Sequence, residues 1–195
     1  MLQAAIYDMD GLLIDTEPLW QAAEKRVFKT VGIELTTEMC LETMGLRIDE
    51  VIMHWYERFP WTARSPKEVE TAVLDAVAEL IVEKGKMLPG VRESVGMFRD
   101  KGLKLAVASS SPSRLIETVL NHFGLMSEFA LYRSAEAEAY GKPHPAVYIS
   151  TAKALDVAPT ACIALEDSFN GLLSCKSARM KTVIVPDPAH FDDAR

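Results

Sequence analysis

Asp8 and Asp10 stand two places apart and are followed at once by Gly11, at the end of the short apolar run Ala4–Met9. If that run is a strand, both carboxylates emerge together at its carboxyl end. Neighbouring carboxylates repel each other unless a cation or a proton compensates, so such a pair is costly unless it holds something. An isolated Asp-x-Asp is more often an exposed acidic turn; the apolar strand before it and the glycine after it move the balance toward function. A second acidic pair, Glu166-Asp167, ends another apolar run, CIALED. Carboxylates from two strand ends suit an octahedral Mg²⁺ whose other positions go to water and a phosphate. The candidate ligands are therefore Asp8, Asp10, Glu166 and Asp167. Ser109 closes a third run, LAVAS, and is followed by Ser110 and Ser111. Hydroxyls and loop amides there could hold phosphate oxygens. The fourth piece is Gly141-Lys142-Pro143, an ammonium just ahead of a helix whose start is set by Pro143 and Pro145. Each is unremarkable by itself, but together they read as phosphate chemistry.

The elements that would position these residues alternate. Strand patterns cover Ala4–Met9, Leu103–Ser109, Ala161–Leu165 and Thr182–Val185, with a weaker one at Phe129–Tyr132. Helical patterns cover Val91–Lys101, Ser113–Phe123, Ala146–Leu155 and Gly171–Ala178. The expected fold is α/β, a doubly wound, Rossmann-like parallel sheet. The alternation is broken from about Pro18 to Met87 by helical patterns at Leu19–Val31, Ile48–Phe59 and Pro66–Val82. Ile48, Val51, Ile52, Trp55 and Phe59 share one face of the middle helix, and Val69, Val73, Val77 and Leu80 recur in the third. An all-helical insertion leaving the strand ends, where α/β sheets bind ligands, is placed to cover the site and exclude water. The expected division is 1–15 with 88–195 as core and 16–87 as inserted helical domain. Ser134–Tyr140, SAEAEAY, reads as a solvated loop.

Composition sets the outer bounds. A chain of 195 residues, 49% hydrophobic and 25% charged, is an ordinary soluble one, and a net charge of −7 without a Lys/Arg stripe argues against nucleic acid. The three cysteines, Cys40, Cys162 and Cys175, form neither a zinc pattern nor a disulfide framework. No signal peptide and no membrane span stands out, so a cytoplasmic monomer with a small phosphorylated substrate is expected.

Asp8-x-Asp10-Gly11, Ser109, Lys142-Pro143 and Glu166-Asp167, in that order, resemble the four signature motifs of the haloacid-dehalogenase-like hydrolase superfamily. The helical insertion resembles its helical-cap class. The run Asp8–Pro18 is similar to the branch of sugar-phosphate phosphatases and beta-phosphoglucomutase. Gly45-Leu46-Arg47-Ile48-Asp49 and Val183–Pro186 resemble the bacterial 2-deoxyglucose-6-phosphate and hexitol phosphatases. Relatives in that branch usually run on, past the stretch matching Pro186–Arg195, through another strand and helix. The resemblance implies that Asp8 attacks phosphorus and that Asp10 is the acid–base. It implies that Asp8, the Asp10 carbonyl and Asp167 bind Mg²⁺, with Glu166 behind them. Ser109, Lys142 and Thr16 would hold phosphate oxygens, with Ser110 beside them. In the cap, Arg47 and Asp49 are candidates for choosing the substrate, with Trp20, His54 and Trp61 behind them. Mutases of the branch place a histidine, linking the cap to the acid–base aspartate, where this chain has Trp20. An indole N–H donates only and cannot relay a proton, which favours hydrolysis of a sugar phosphate over isomerisation. The alternatives are a sugar-phosphate mutase or an inactive phosphate-binding module.

Overall fold

The computed structural model describes residues 1–186. Five strands, β1 (Ala4–Tyr7), β2 (Lys104–Ser109), β3 (Leu131–Ser134), β4 (Cys162–Glu166) and β5 (Lys181–Ile184), form one sheet in the order β3-β2-β1-β4-β5. Every pairing is parallel, so each strand delivers its carboxyl end to the same edge. Helices cover both faces. Ala4 and Ile6 pack on one side of β1 with Val147 and Tyr148, while Ala5 and Tyr7 pack on the other with Val95 and Leu115. That is why β1 reads as a continuous apolar run and not as an alternating one. β3 lies two residues beyond its expected position. Phe129, which suggested a strand, instead fills the core edge-on against Tyr7 at 5.6 Å.

Four helices follow β1: α1 (Glu17–Phe28), α2 (Thr37–Glu42), α3 (Ile48–Arg58) and α4 (Pro66–Lys84). They form the inserted helical cap on the α/β core. Then come α5 (Val91–Asp100), α6 (Ser113–His122), α7 (Ala146–Ala154) and α8 (Phe169–Ser177) between the remaining strands. α4 starts where its sequence says it must. Ser65 Oγ accepts from the Glu68 N–H at 3.3 Å, the Glu68 carboxylate accepts from the Ser65 N–H at 2.7 Å, and Pro66 opens the first turn. α2 had no periodic signal; Thr36 caps it by accepting from the Met39 N–H. Ile48, Val51, Ile52 and Trp55 are buried as the helical period requires, but Phe59 is 41% exposed. It sits one residue past the end of α3 with φ −137°, so the period no longer aims its side chain inward. The cap interior is continuous with the core beneath it. No helix among the described residues is long and apolar enough to cross a membrane.

Glu24 on α1 lies inside the cap, 6% exposed. Burial above all, with the Glu17 carboxylate, pushes it up to about 7 against the pull of a Cys40 hydrogen bond and of Lys25. The folded chain thus keeps a proton that the unfolded chain loses near 4.5, so stability falls as pH rises between these values. Glu24→Gln is expected to stabilise the protein by up to about 3 kcal/mol near pH 8 and to have little effect near pH 4. Thermal denaturation at the two pH values checks this; an equal gain at both would mean packing, not charge, is responsible.

Candidate active site

Because β1 lies between β2 and β4, the residues just past Tyr7, Ala108 and Leu165 meet. Asp8 follows β1 directly and its N–H donates to the Leu165 carbonyl at 2.9 Å, continuing the ladder one step. Asp8 as a whole is 5% exposed. Lys142, from the loop before α7, donates to Asp8 Oδ1 and Glu166 Oε1, both at 2.7 Å, and to the Ala108 carbonyl at 3.2 Å. A single ammonium therefore bridges two strand ends.

Glu166 is completely buried and fully satisfied. Its Oε1 accepts from Lys142 and from the Tyr148 hydroxyl at 2.8 Å; its Oε2 accepts from the Asp167 N–H, the Ser168 N–H and the Ser168 hydroxyl. Gly171 makes room for it, since a Cβ there would fall 1.9 Å from the Glu166 carboxyl. Burial by itself would push Glu166 up, yet the Lys142 ammonium and these hydrogen bonds outweigh it and hold the carboxyl below its usual range. For Lys142, burial pulls down, but Asp8 and Glu166 prevail and raise it above an ordinary lysine. Tyr148, which sequence reasoning missed, sits beneath this pair with its ring centre 5.1 Å from Lys142 Nζ. Its place six residues after Lys142, on the first turn of α7, is visible in the sequence, but its contact with Glu166 is not. Tyr148→Phe keeps the ring and removes one donor to a buried charge. It is expected to lower kcat about ten-fold with KM unchanged. Steady-state kinetics would settle it, an unchanged kcat showing that four donors suffice.

Asp10 faces the other way and is held by four donors. Thr16 Oγ1 (2.8 Å) and Trp20 Nε1 (3.3 Å) reach Oδ1; Ser109 Oγ (3.1 Å) and Ser111 Oγ (2.8 Å) reach Oδ2. Two donors come from the start of the cap and two from the end of β2. Ser111, two places past Ser109, is the second hydroxyl on Asp10, while Ser110 is half-buried between them. Among the described residues, Trp20 is the cap aromatic that hydrogen-bonds an aspartate of the site. Trp55 and Trp61 are cap core, Trp61 against Phe28 and Tyr56, and His54 lies beside Glu42. Arg47 pairs with Asp49 and reaches the loop after β3, so Ser134–Tyr140 is a contact surface for the cap and not a free loop.

Asp8, Glu166 and Asp167 each offer an oxygen within 4.8 Å of the others, a cluster suited to a divalent metal ion. Asp167 Oδ1 is buried with no hydrogen-bond partner. Burial first, then the Glu166 charge, push Asp167 up to about 7, and burial pushes Asp8 well above the carboxylate range despite Lys142. Two raised carboxyls and an orphaned oxygen beside one ammonium are the chemistry that a cation relieves. Asp167 Oδ2 would lie 2.0 Å from any Cβ at residue 11, so Gly11, at φ +72°, lets Asp167 approach the Asp8–Asp10 turn.

Fold, cap and motif order define the class, and the haloacid dehalogenase-like hydrolase model matches residues 5–185. The chain belongs to that family. Hexitol phosphatase B of Escherichia coli (strain K12) is 46% identical over 193 residues, covering 98% of this chain and 87% of that protein. CbbY from Rhodobacter sphaeroides, solved in complex with phosphate, superposes with a TM-score of 0.89 at 25% identity over 100% of this chain and 91% of the other. Beta-phosphoglucomutase from Clostridium difficile gives 0.84 at 25% identity, over 96% and 86%.

Proposed function

We propose that this protein is a magnesium-dependent phosphomonoester hydrolase acting on small phosphorylated sugars or sugar alcohols. The observation that carries the reading is Asp8: a buried carboxylate at a strand end, held at 2.7 Å by Lys142, with the four-donor Asp10 two residues on. The 46% identity to a hexitol phosphatase supports the substrate class.

Asp8 attacks phosphorus, the bond to the sugar oxygen breaks, and an aspartyl-phosphate forms. Asp10 gives a proton to the departing alkoxide, and while it carries that proton one of its hydroxyl neighbours, Thr16, Ser109 or Ser111, turns from donor to acceptor. Asp10 then takes one from a water that attacks the phosphoryl group, freeing Asp8 and inorganic phosphate. Lys142 neutralises the gathering charge on the equatorial oxygens, and the Ser109 and Ser110 region supplies donors to them. Thr16 and Trp20 hold Asp10 from the cap side, which ties the acid–base to the seating of the cap. Asp8, the Asp10 carbonyl and Asp167, with Glu166 behind them, would hold Mg²⁺, which would supply charge neutralisation for the phosphate and nucleophile. With all its lone pairs engaged, Glu166 serves as the counter-charge that aims Lys142.

A panel of phosphorylated sugars and hexitols, assayed for phosphate with Mg²⁺ and again with EDTA, tests this. Release from at least one substrate that chelation abolishes is expected; silence across the panel would leave the inactive module as the better reading. The mutase is tested separately with beta-glucose 1-phosphate and a trace of the 1,6-bisphosphate. The Trp20 indole on Asp10 favours phosphate as the main product. Glucose 6-phosphate appearing faster than phosphate would reverse that.

A further inference from the structure

The segment that carries Lys142 to Asp8 is gripped from across the cap–core boundary by one side chain. Arg47 precedes α3 in the cap, and its side chain is 18% exposed. Asp49 fixes one edge of its guanidinium through Nη2 at 2.6 Å and Nε at 3.1 Å. Nη1 then crosses to the core and donates to the carbonyls of Glu138 at 3.1 Å and Ala135 at 3.4 Å. Four of the five guanidinium N–H groups are thus engaged within the protein. The Arg47 methylenes lie on Gly141, where a Cβ would stand 3.1 Å from Cγ and 3.2 Å from Cδ. All three contact points, Ala135, Glu138 and Gly141, belong to the run between the end of β3 and Lys142. A groove lined by Leu46 and Glu50 of the cap and by Tyr140 and His144 of the core runs alongside.

We infer that Arg47 is a positioning residue, a clamp that couples the seating of the cap to the aim of Lys142 at Asp8. The contact is independent of any substrate; its effect on turnover rests on the phosphatase reading. A guanidinium fork oriented by Asp49 reaches two carbonyls at once, which a lysine ammonium on a flexible stem cannot reproduce. The clamp differs from the other role open to Arg47, a direct ligand for the sugar end of the substrate, because it acts on every substrate alike.

The test compares wild type, Arg47→Ala and Arg47→Lys. In substrate-free protein, hydrogen exchange of the 135–141 amides should speed up about ten-fold in both variants, while α4 and α6 exchange as before. With Mg²⁺, kcat should fall by a similar factor on a hexitol phosphate and on p-nitrophenyl phosphate, which has no sugar end, with KM little changed. Unaltered exchange together with a raised KM for the hexitol phosphate alone would overturn the clamp and make Arg47 a substrate ligand. Unaltered exchange with unaltered kinetics would also overturn it. Should the wild type prove inactive on both substrates, the phosphatase reading fails and the exchange result alone upholds or rejects the clamp.

Discussion

Asp8→Asn is expected to cut phosphate release by about 10⁶-fold, the scale on which loss of a nucleophile is felt, while leaving the fold at least as stable as before. The two halves of this result have one cause. Burial pushes the Asp8 carboxyl well above its ordinary range, with Lys142 pulling it down and Glu166, Asp167 and Asp10 pushing it up. A folded-state value above the unfolded one means that the native chain retains a proton which the unfolded chain has released. Stability is therefore lost as pH rises from the ordinary carboxylate range through the raised value. Asparagine is nearly isosteric, still offers Lys142 a carbonyl oxygen, and carries no charge to be desolvated. Nucleophile and strain reside in the same atoms, and removing one removes the other. Phosphate release and a melting curve without metal, on the same preparation, check both halves. A melting temperature well below wild type would show that the Asp8–Lys142 pair stabilises the core after all. Activity within ten-fold of wild type would falsify Asp8 as the nucleophile.

Lys142→Met is expected to damage both properties together. The ammonium is shared at 2.7 Å between Asp8 and Glu166, and its side chain is only 4% exposed. Taking it away leaves two buried carboxylates facing each other without a cation. Breaking a buried pair by removing one partner costs about 3–5 kcal/mol. In a chain of this length that is a fall of roughly 10 °C in melting temperature. The loss should be greatest at alkaline pH. Lys142 is the largest of the pulls that keep Glu166 below its usual range. Without it burial is opposed only by the remaining hydrogen bonds, such as those from Tyr148 and Ser168, Glu166 rises, and stability then declines as pH rises. Activity should drop by about 10³-fold, since a charge aimed at the transferring group is gone. Asp8→Asn combined with Lys142→Met should recover part of the lost stability and none of the activity, because the two sites share one interaction. Calorimetry on the two single variants and the double variant decides the matter; strictly additive losses would mean that the two side chains do not act as a pair.

Much of this was legible in the chain itself. β1, β2 and β4 announce themselves as apolar runs because both faces of a parallel sheet are covered, and Ser65-Pro66 with Glu68 marks the start of α4. The motif residues could be assigned because each stands at a strand's carboxyl end or, like Lys142, just before a helix. Tyr148, the bond from Ser111 to Asp10 and the clamp at Arg47 were not legible. Tyr148 reads as one more aromatic on a helix, and only the packing of α7 against β1, β2 and β3 places its hydroxyl on Glu166. The role of Trp20 could be argued only from what an indole cannot do; that it donates to Asp10 follows from where the cap helix lies.

The sequence by itself determined the order of strands and helices, the place where the helical insertion leaves the sheet, and the residue types available for phosphoryl chemistry. These follow from local periodicity and from the chemistry of side chains, which need no partner distant in the chain. The tertiary structure alone decided what surrounds each carboxylate. Asp8 and Lys142 are 134 positions apart and meet only because β1 lies between β2 and β4. Glu166 becomes the satisfied counter-ion, Asp10 the carboxylate held by four donors, and Asp167 the carboxylate with a buried oxygen that has no hydrogen-bond partner. Four acidic side chains alike in the sequence differ only in what surrounds them. Burial, donors and neighbouring charge are properties of the assembled site and of no segment within it.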